Sequence, residues 1–338
     1  MTVSAFITGC SGLEFTSGET SFLREFDPWG LILFQRNCQN PEQIRALVAA
    51  FRSLNGRNDA PVLIDQEGGR VQRLKPPTWR QYPPAQVFAQ IYQTNQKEAL
   101  DAAYLMTRLI ADDLYNLGIT VDCLPVLDVP QANADDIIGN RAYGCDPQII
   151  PKLARTAAKG LLDGGVLPVI KHIPGHGRAT VDSHLELPVV KTDAKTLHEV
   201  DFVPFKELSD LPLAMTAHVV YEAFDAKQPA TLSKTLIKDV IRRTMGFDGL
   251  LMSDDLSMKA LRGSFAERTR NAFSAGCDMA LHCNGDLEEM RLVAANTPEL
   301  KEKALMRAQA ALKCLIYPQN FDRDRALSLH SQLMQNGV

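Results

Sequence analysis

Between Lys171 and Pro188 the chain reads KHIPGHGRATVDSHLELP, a Lys-His pair and a glycine-rich stretch followed by Asp182, Ser183 and His184. A carboxylate beside an imidazole can hold one ring nitrogen and leave the other free to exchange a proton, so Asp182 and His184 form a candidate acid/base pair. In an extended Asp-Ser-His the outer two side chains point the same way, as such a pair requires. Lys171 and His172 follow the apolar run Leu167 to Ile170, which places them at the C-terminal end of a strand, where α/β folds bind their ligands. Gly175 and Gly177 make the intervening loop pliable. Other apolar runs also end on polar residues: Asp65 in IDQEGGRVQR, Asp128, His218 in AMTAH and Asp254 in LLMSDD. Any one of these could be a buried polar group satisfied by its neighbours, but several at strand ends point to one shared site. Asp254 follows Leu250, Leu251 and Met252, so a rigid strand presents its carboxylate as a positioned nucleophile needs.

Eight short apolar runs have strand character: Ala5 to Gly9, Gly30 to Phe34, Val62 to Asp65, Thr120 to Asp128, Leu167 to His172, Pro212 to His218, Gly249 to Asp254 and Asp278 to His282. Amphipathic stretches alternate with them, including Pro41 to Leu54, Lys97 to Leu117, Gln148 to Leu162, Lys195 to Ser209, Ser233 to Met245 and Phe265 to Ala275. Alternating strands and helices imply a parallel sheet. Eight strands over about 280 residues suit an α/β fold of the closed (β/α)8 TIM-barrel type better than an open doubly wound sheet, and no GxGxxG follows the first strand to suggest a dinucleotide site. Gly9 to Pro28 shows no amphipathic helix of normal length, so the first unit is expected to be irregular. Residues 1–338 are read as a single catalytic barrel with a helical tail from about residue 298. Within that tail, Leu300 to Leu315 should pack outside the barrel and the polar end from Ser328 should fray. Pro76 to Pro84 reads as an ordered loop over the barrel mouth.

Composition narrows the function further. Hydrophobic residues make up 45% and charged residues 22%, enough for a sizeable core and unlike a disordered chain. The net charge of -4 offers no basic field for nucleic acid or for an anionic membrane. Seven scattered cysteines without CxxC spacing argue for reduced thiols. With no apolar run of membrane-spanning length and no signal-peptide pattern at the N-terminus, a cytoplasmic protein is expected.

Four motifs, IDQEGGRVQR, GNRAYG, KHIPGHG with DSH, and GLLMSDDLSM, occur here in this order. In this they resemble family 3 glycoside hydrolases, and more narrowly the single-domain bacterial β-N-acetylglucosaminidases of cell-wall recycling. The likeness runs from about Gly30 to Asn284. It implies Asp254 as nucleophile and His184 as general acid/base assisted by Asp182. Asp255 is the rival carboxylate, but successive side chains on a strand face opposite ways, so only one should aim at the sugar. The same likeness carries the sugar-binding positions to Asp65, Arg73, Arg141, Lys171 and His172, with Arg70 and His218 as supports. Ile173 stands where the family usually has Phe. The implied activity is retaining, exo-acting removal of terminal non-reducing N-acetylglucosamine from muropeptides of the GlcNAc-β-1,4-anhydro-MurNAc type. It would need no cofactor and no metal, act on a small-molecule substrate as a monomer, and involve neither nucleic acid nor membrane.

Two other classes compete. A metal-dependent barrel hydrolase could recruit His172, His176, His218 and Asp254 as ligands, but the closely spaced His pair usual on an early strand is missing. A noncatalytic sugar-binding barrel would keep Asp65, Arg141 and Lys171 yet have no use for Asp254 or for the Asp182–His184 pair.

Overall fold

The computed structural model describes residues 3–336. Eight parallel strands form one closed barrel in which sequence neighbours are also spatial neighbours. They are β1 (Ser4–Thr8), β2 (Pro28–Leu33), β3 (Val62–Ile64), β4 (Val121–Asp122), β5 (Leu167–Ile173), β6 (Leu213–Thr216), β7 (Leu250–Asp255) and β8 (Met279–His282). The ladder between β1 and β8 closes the barrel, with Ile7 opposite Leu281. Each of the eight apolar runs of the sequence overlaps one of these strands. The runs are nearly unbroken because both faces of a barrel strand are buried. Alternate residues divide between two cores: Ile7, Ile32, Leu63, Val169 and Leu213 fill the interior, whereas Phe6, Leu31, Val62, Ile170 and Ala214 pack beneath the helices.

The first unit holds a complete helix, α1 (Ser17–Phe26), contrary to the expectation of an irregular one. A capping box starts it: the Thr16 hydroxyl accepts from the Glu19 N–H at 3.2 Å, and the Glu19 carboxylate accepts from the Thr16 N–H at 2.9 Å. Its buried stripe is narrow, Glu19, Phe22 and Leu23, so the apolar periodicity is faint. What irregularity there is consists of a register shift between β1 and β2. Helix α2 (Pro41–Leu54) has the limits its pattern indicates, with Asn40 capping and Pro41 opening the first turn. Helices α3 (Gln96–Tyr115) and α4 (Ile150–Asp163) lie side by side. Gly160 permits that approach, since a Cβ there would sit 2.2 Å from Thr107 Oγ1. The amphipathic stretches after β5 and β6 are helical but widen over Leu197–Asp201 and Leu236–Thr244. Helix α5 (Phe265–Ala275) follows β7.

The tail closes the lower end of the barrel. Helix α6 (Glu302–Lys313) contributes Ala308 and Ala311 to the interior core. Its Arg307 pairs with Asp248 at 2.5 Å and Asp278 at 3.0 Å, residues that lead into β7 and β8. Among the described residues the expected fraying from Ser328 does not occur: α7 (Arg323–Asn336) is a helix, and residues 337–338 lie outside the described ones. Ion pairs hold it where apolar periodicity is weak, with Arg323 at 2.5 Å from Asp112 and 2.6 Å from Asp113 of α3. The proline-rich loop is ordered but does not cover the mouth. Tyr82 is buried, its hydroxyl donates to Asp113 at 2.8 Å, and no residue from Pro76 to Pro84 lines the central cavity. All seven cysteines are free thiols, and among the described residues no helix is long and apolar enough to cross a membrane.

Candidate active site

The C-terminal strand ends surround a cavity of about 370 Å³, in the size range of small-ligand sites. Asp65, Arg70, Arg73, Arg141, Lys171, His172, His184 and Asp254 all line it. Asp182 stands behind His184, outside the lining.

Asp255 lines the cavity as well, so alternation along β7 does not separate the two carboxylates. The reason is local: the pairing of β7 with β8 shifts register between Met252 and Asp255, and the strict two-residue period is lost there. Hydrogen bonding makes the distinction instead. Both Asp255 oxygens are engaged, one by the Ser257 and Cys283 N–H groups at 2.9 and 3.1 Å, the other by the Ser257 hydroxyl at 2.5 Å. Among the described residues, Asp254 accepts only through Oδ1, from the Asp255 N–H at 2.8 Å, and Oδ2 has no partner. Burial opposes ionisation of Asp254, but the His218 and His172 imidazoles and the Asp255 N–H outweigh it and hold the carboxyl below the usual carboxylate range. Burial also pushes His218 down, so at neutral pH His218 is uncharged and the Asp255 N–H is the partner that sustains the Asp254 carboxylate. An ionised, partly unpartnered carboxylate on a rigid strand is equipped to act as a nucleophile.

Asp182 and His184 pair at 2.7 Å through Oδ1 and Nδ1. They do so in a turn, not in the extended form expected from the sequence: Asp182 Oδ1 also accepts from the His184 N–H at 2.8 Å, and the Asp182 carbonyl accepts from Leu185 at 2.9 Å. An Asp readily bonds the backbone two residues on, and this closes the turn. The His184 N–H and imidazole outweigh partial burial and keep Asp182 below its usual range. An ionised Asp182 favours a proton on Nδ1, which leaves Nε2 to exchange the proton of a reaction. The His184 side chain is 58% exposed, at the rim where a leaving group would depart.

The opposite wall is a network of buried charges. Asp65 accepts from Lys171 Nζ at 2.8 Å and from Arg73 at 3.0 Å. Its burial is overcome by those two cations, which hold its carboxyl far below the usual range. Lys171 also meets Glu67 at 2.6 Å, and Glu67 takes two bonds from Arg141, at 2.8 and 2.9 Å. Glu67 thus joins two of the proposed sugar-binding cations, and the sequence reading did not single it out. The signal was present: Asp65 and Glu67 are two apart in an extended IDQEGG, so their side chains share a face. The hairpin of Gln66–Gly68 with Val71–Gln72 brings Arg73 back to Asp65. Lys171 commits two of its three donor directions to carboxylates, and Arg141 two of its five to Glu67 and one to the Ile137 carbonyl, so donors remain for sugar hydroxyls.

A third cluster centres on Asp128, which is fully buried. Its Oδ2 meets His172 Nδ1 at 2.7 Å, and its Oδ1 accepts from the His172 and His176 N–H groups at 3.2 and 2.6 Å. His172 is therefore oriented from behind, with Nε2 toward the cavity. His176 also lines the cavity and meets Ser183 Oγ at 2.9 Å. His218 does not reach the cavity; it bridges Thr231 at 2.7 Å and the Asp255 carbonyl at 3.0 Å, bracing the end of β7. Arg70 sits on the rim, bound to the Asp136 carboxylate at 3.1 Å and to the Ile137 carbonyl at 2.8 Å. Among the described residues no three His, Cys, Asp or Glu side chains gather as metal ligands would.

Comparison with known proteins places this architecture. The model of the glycosyl hydrolase family 3 N-terminal domain matches residues 14–313. The β-hexosaminidase of Alkalilimnicola ehrlichii is 40% identical over 288 residues, 84% of this chain and 82% of that one. The β-hexosaminidase of Chromobacterium violaceum is 37% identical over 292 residues, 85% of this chain and 81% of that one. The crystal structure of NagZ from Neisseria gonorrhoeae in complex with N-trifluoroacetyl-D-glucosamine superposes with a TM-score of 0.89 at 31% identity, covering 99% of both chains.

Proposed function

The chain belongs to glycosyl hydrolase family 3, is a glycoside hydrolase of the β-N-acetylhexosaminidase type, and we propose that it removes terminal, non-reducing N-acetylglucosamine from cell-wall muropeptides with retention of configuration. The observation that carries this reading is the free Oδ2 of Asp254 in the same cavity as His184, which Asp182 backs. Asp254 attacks the anomeric carbon and forms a covalent glycosyl enzyme while the His184 imidazolium protonates the departing oxygen. Water then enters, His184 takes its proton, and the sugar leaves with net retention. Most retaining glycosidases use a carboxyl group in the second role; a His whose reference pKa of about 6.5 lies near working pH serves without strong burial.

Asp65 accepts hydrogen bonds from sugar hydroxyls, while Arg73, Arg141, Lys171 and His172 donate to the remaining oxygens or to the acetamido group. Support for an N-acylated sugar comes from the N-trifluoroacetyl-D-glucosamine in the superposed NagZ complex. The cavity is small and opens at His184, which suits one sugar residue with its aglycone outside and hence exo action. In this reading the protein acts as a cytoplasmic monomer in peptidoglycan recycling, without cofactor or metal.

The test compares an aryl β-N-acetylglucosaminide with the matching β-glucoside, and then a GlcNAc-anhydro-MurNAc disaccharide. Strong preference for the acetamido sugar and release of N-acetylglucosamine from the disaccharide are expected. Equal turnover of the glucoside would remove the acetamido group as a recognition element, and an inert disaccharide would remove the muropeptide assignment.

A further inference from the structure

The segment from Thr180 to Leu187 carries the Asp182–His184 pair on the surface, and Ser183 is its only buried residue. Before it, the chain is pinned. Gly177 packs so closely on the Val129 carbonyl that a Cβ would lie 2.2 Å from it, and the Gly177 and Ala179 carbonyls accept from Gln131 and Asp135 at 3.0 and 2.8 Å. After it, Pro188 accepts from Val220 at 2.9 Å. Between those pins, among the described residues, one hydrogen bond ties the segment to the rest of the protein: His176 Nε2 with Ser183 Oγ at 2.9 Å.

His176 is committed to that bond. Its ring is buried, and among the described residues its other nitrogen, Nδ1, has no partner. Keeping an imidazole inside with one nitrogen unsatisfied is costly, and the bond to Ser183 is what the ring obtains in return. The backbone of His176 hangs on Asp128 Oδ1, and Oδ2 of the same carboxylate holds His172.

We propose that His176 is a positioning residue for proton transfer: through Ser183 it anchors the loop that presents His184, and through Asp128 it keeps that anchor in register with the sugar-facing His172. Ser183 is held inward while the residues on both sides face outward, so the bond sets where the Asp182–His184 pair stands over the cavity. Without it, the two pins leave the intervening segment free to swing, and an acid displaced by an ångström loses much of its effect. The inference rests on the assignment of His184 as acid/base.

The test uses Ser183→Ala and His176→Phe, which break the bond, with Ser183→Thr and His176→Gln, which retain a hydrogen-bonding group. Each is assayed on an N-acetylglucosaminide with an activated phenol and on one with an alkyl aglycone, and its thermal midpoint is recorded. The expected result is that Ser183→Ala and His176→Phe lower kcat/KM on the alkyl substrate roughly tenfold more than on the phenol, with the conservative variants recovering much of it. His184→Ala serves as the reference. If it discriminates between the substrates and folded Ser183→Ala does not, the anchor is not positioning the acid and the inference fails. If His184→Ala itself treats both alike, the acid/base assignment fails and takes the inference with it.

Discussion

Asp254 and Asp255 are adjacent in the chain and both reach the cavity, yet the protein occupies both oxygens of Asp255 and leaves Oδ2 of Asp254 free. One is spent on holding the loop that follows β7, and the other is available to a substrate.

Asp254→Asn should therefore lose at least about 10³-fold in kcat while keeping the fold, as expected when a nucleophile is removed. Asp255→Asn should chiefly lower the thermal midpoint, because it disturbs bonds to Ser257 and Cys283. A 5-fluoro glycosyl inhibitor should label Asp254, as read by mass spectrometry of the peptide. A label on Asp255 would reverse the assignment.

His184→Ala should slow substrates with poor leaving groups by about 10² to 10⁴, the usual worth of a positioned acid, and activated phenols far less. Asp182→Asn should act the same way more mildly, since the exchanged side chain no longer favours a proton on Nδ1. Parallel losses on both kinds of substrate would show that the loop only shapes the pocket.

Glu67→Gln should destabilise the protein by about 3 kcal/mol, because Lys171 and Arg141 are buried and would lose their shared counter-charge. Urea denaturation measures it, and weaker inhibition by N-acetylglucosamine should accompany it. A change within about 0.5 kcal/mol, typical of an ordinary surface position, would mean that Asp65 alone balances both cations.

Burial pushes His176 and His330 down to about 4, whereas both titrate near 6.5 in the unfolded chain. Between these values the unfolded state binds more protons, so stability should fall as pH drops from about 6.5 towards 4, then level off for these groups. Asp254 and Asp65 are lowered as well, but from the carboxylate range. Their contribution is present above the unfolded carboxylate range and is lost only at more acid pH. His330 lies on α7, away from the cavity, so His330→Phe should flatten the loss between about pH 6.5 and pH 4 without altering turnover. An unchanged slope would show that other groups govern the acid limb.

The barrel was legible because its strands are buried on both faces and stand out as apolar runs, most of them closed by a polar residue. The same logic exposed Asp65, Lys171, His172 and Asp254, and the DSH triplet marked its own hydrogen-bonded Asp182–His184 pair. Helix α1 was hidden by its narrow buried stripe, although Thr16 and Glu19 spell a capping box, and α7 was hidden because Arg323 holds it by charge. What the linear chain determined was thus the set of elements and the residues delivered to one end of them. The tertiary structure alone decided what each residue does there. A register shift puts both Asp254 and Asp255 at the cavity, so hydrogen-bond occupancy separates them. Glu67 becomes the link between Lys171 and Arg141 only when β3, β5 and the loop after β4 converge, and His218 is turned aside into a brace. Such roles depend on contacts between residues far apart in sequence, which no local spacing encodes.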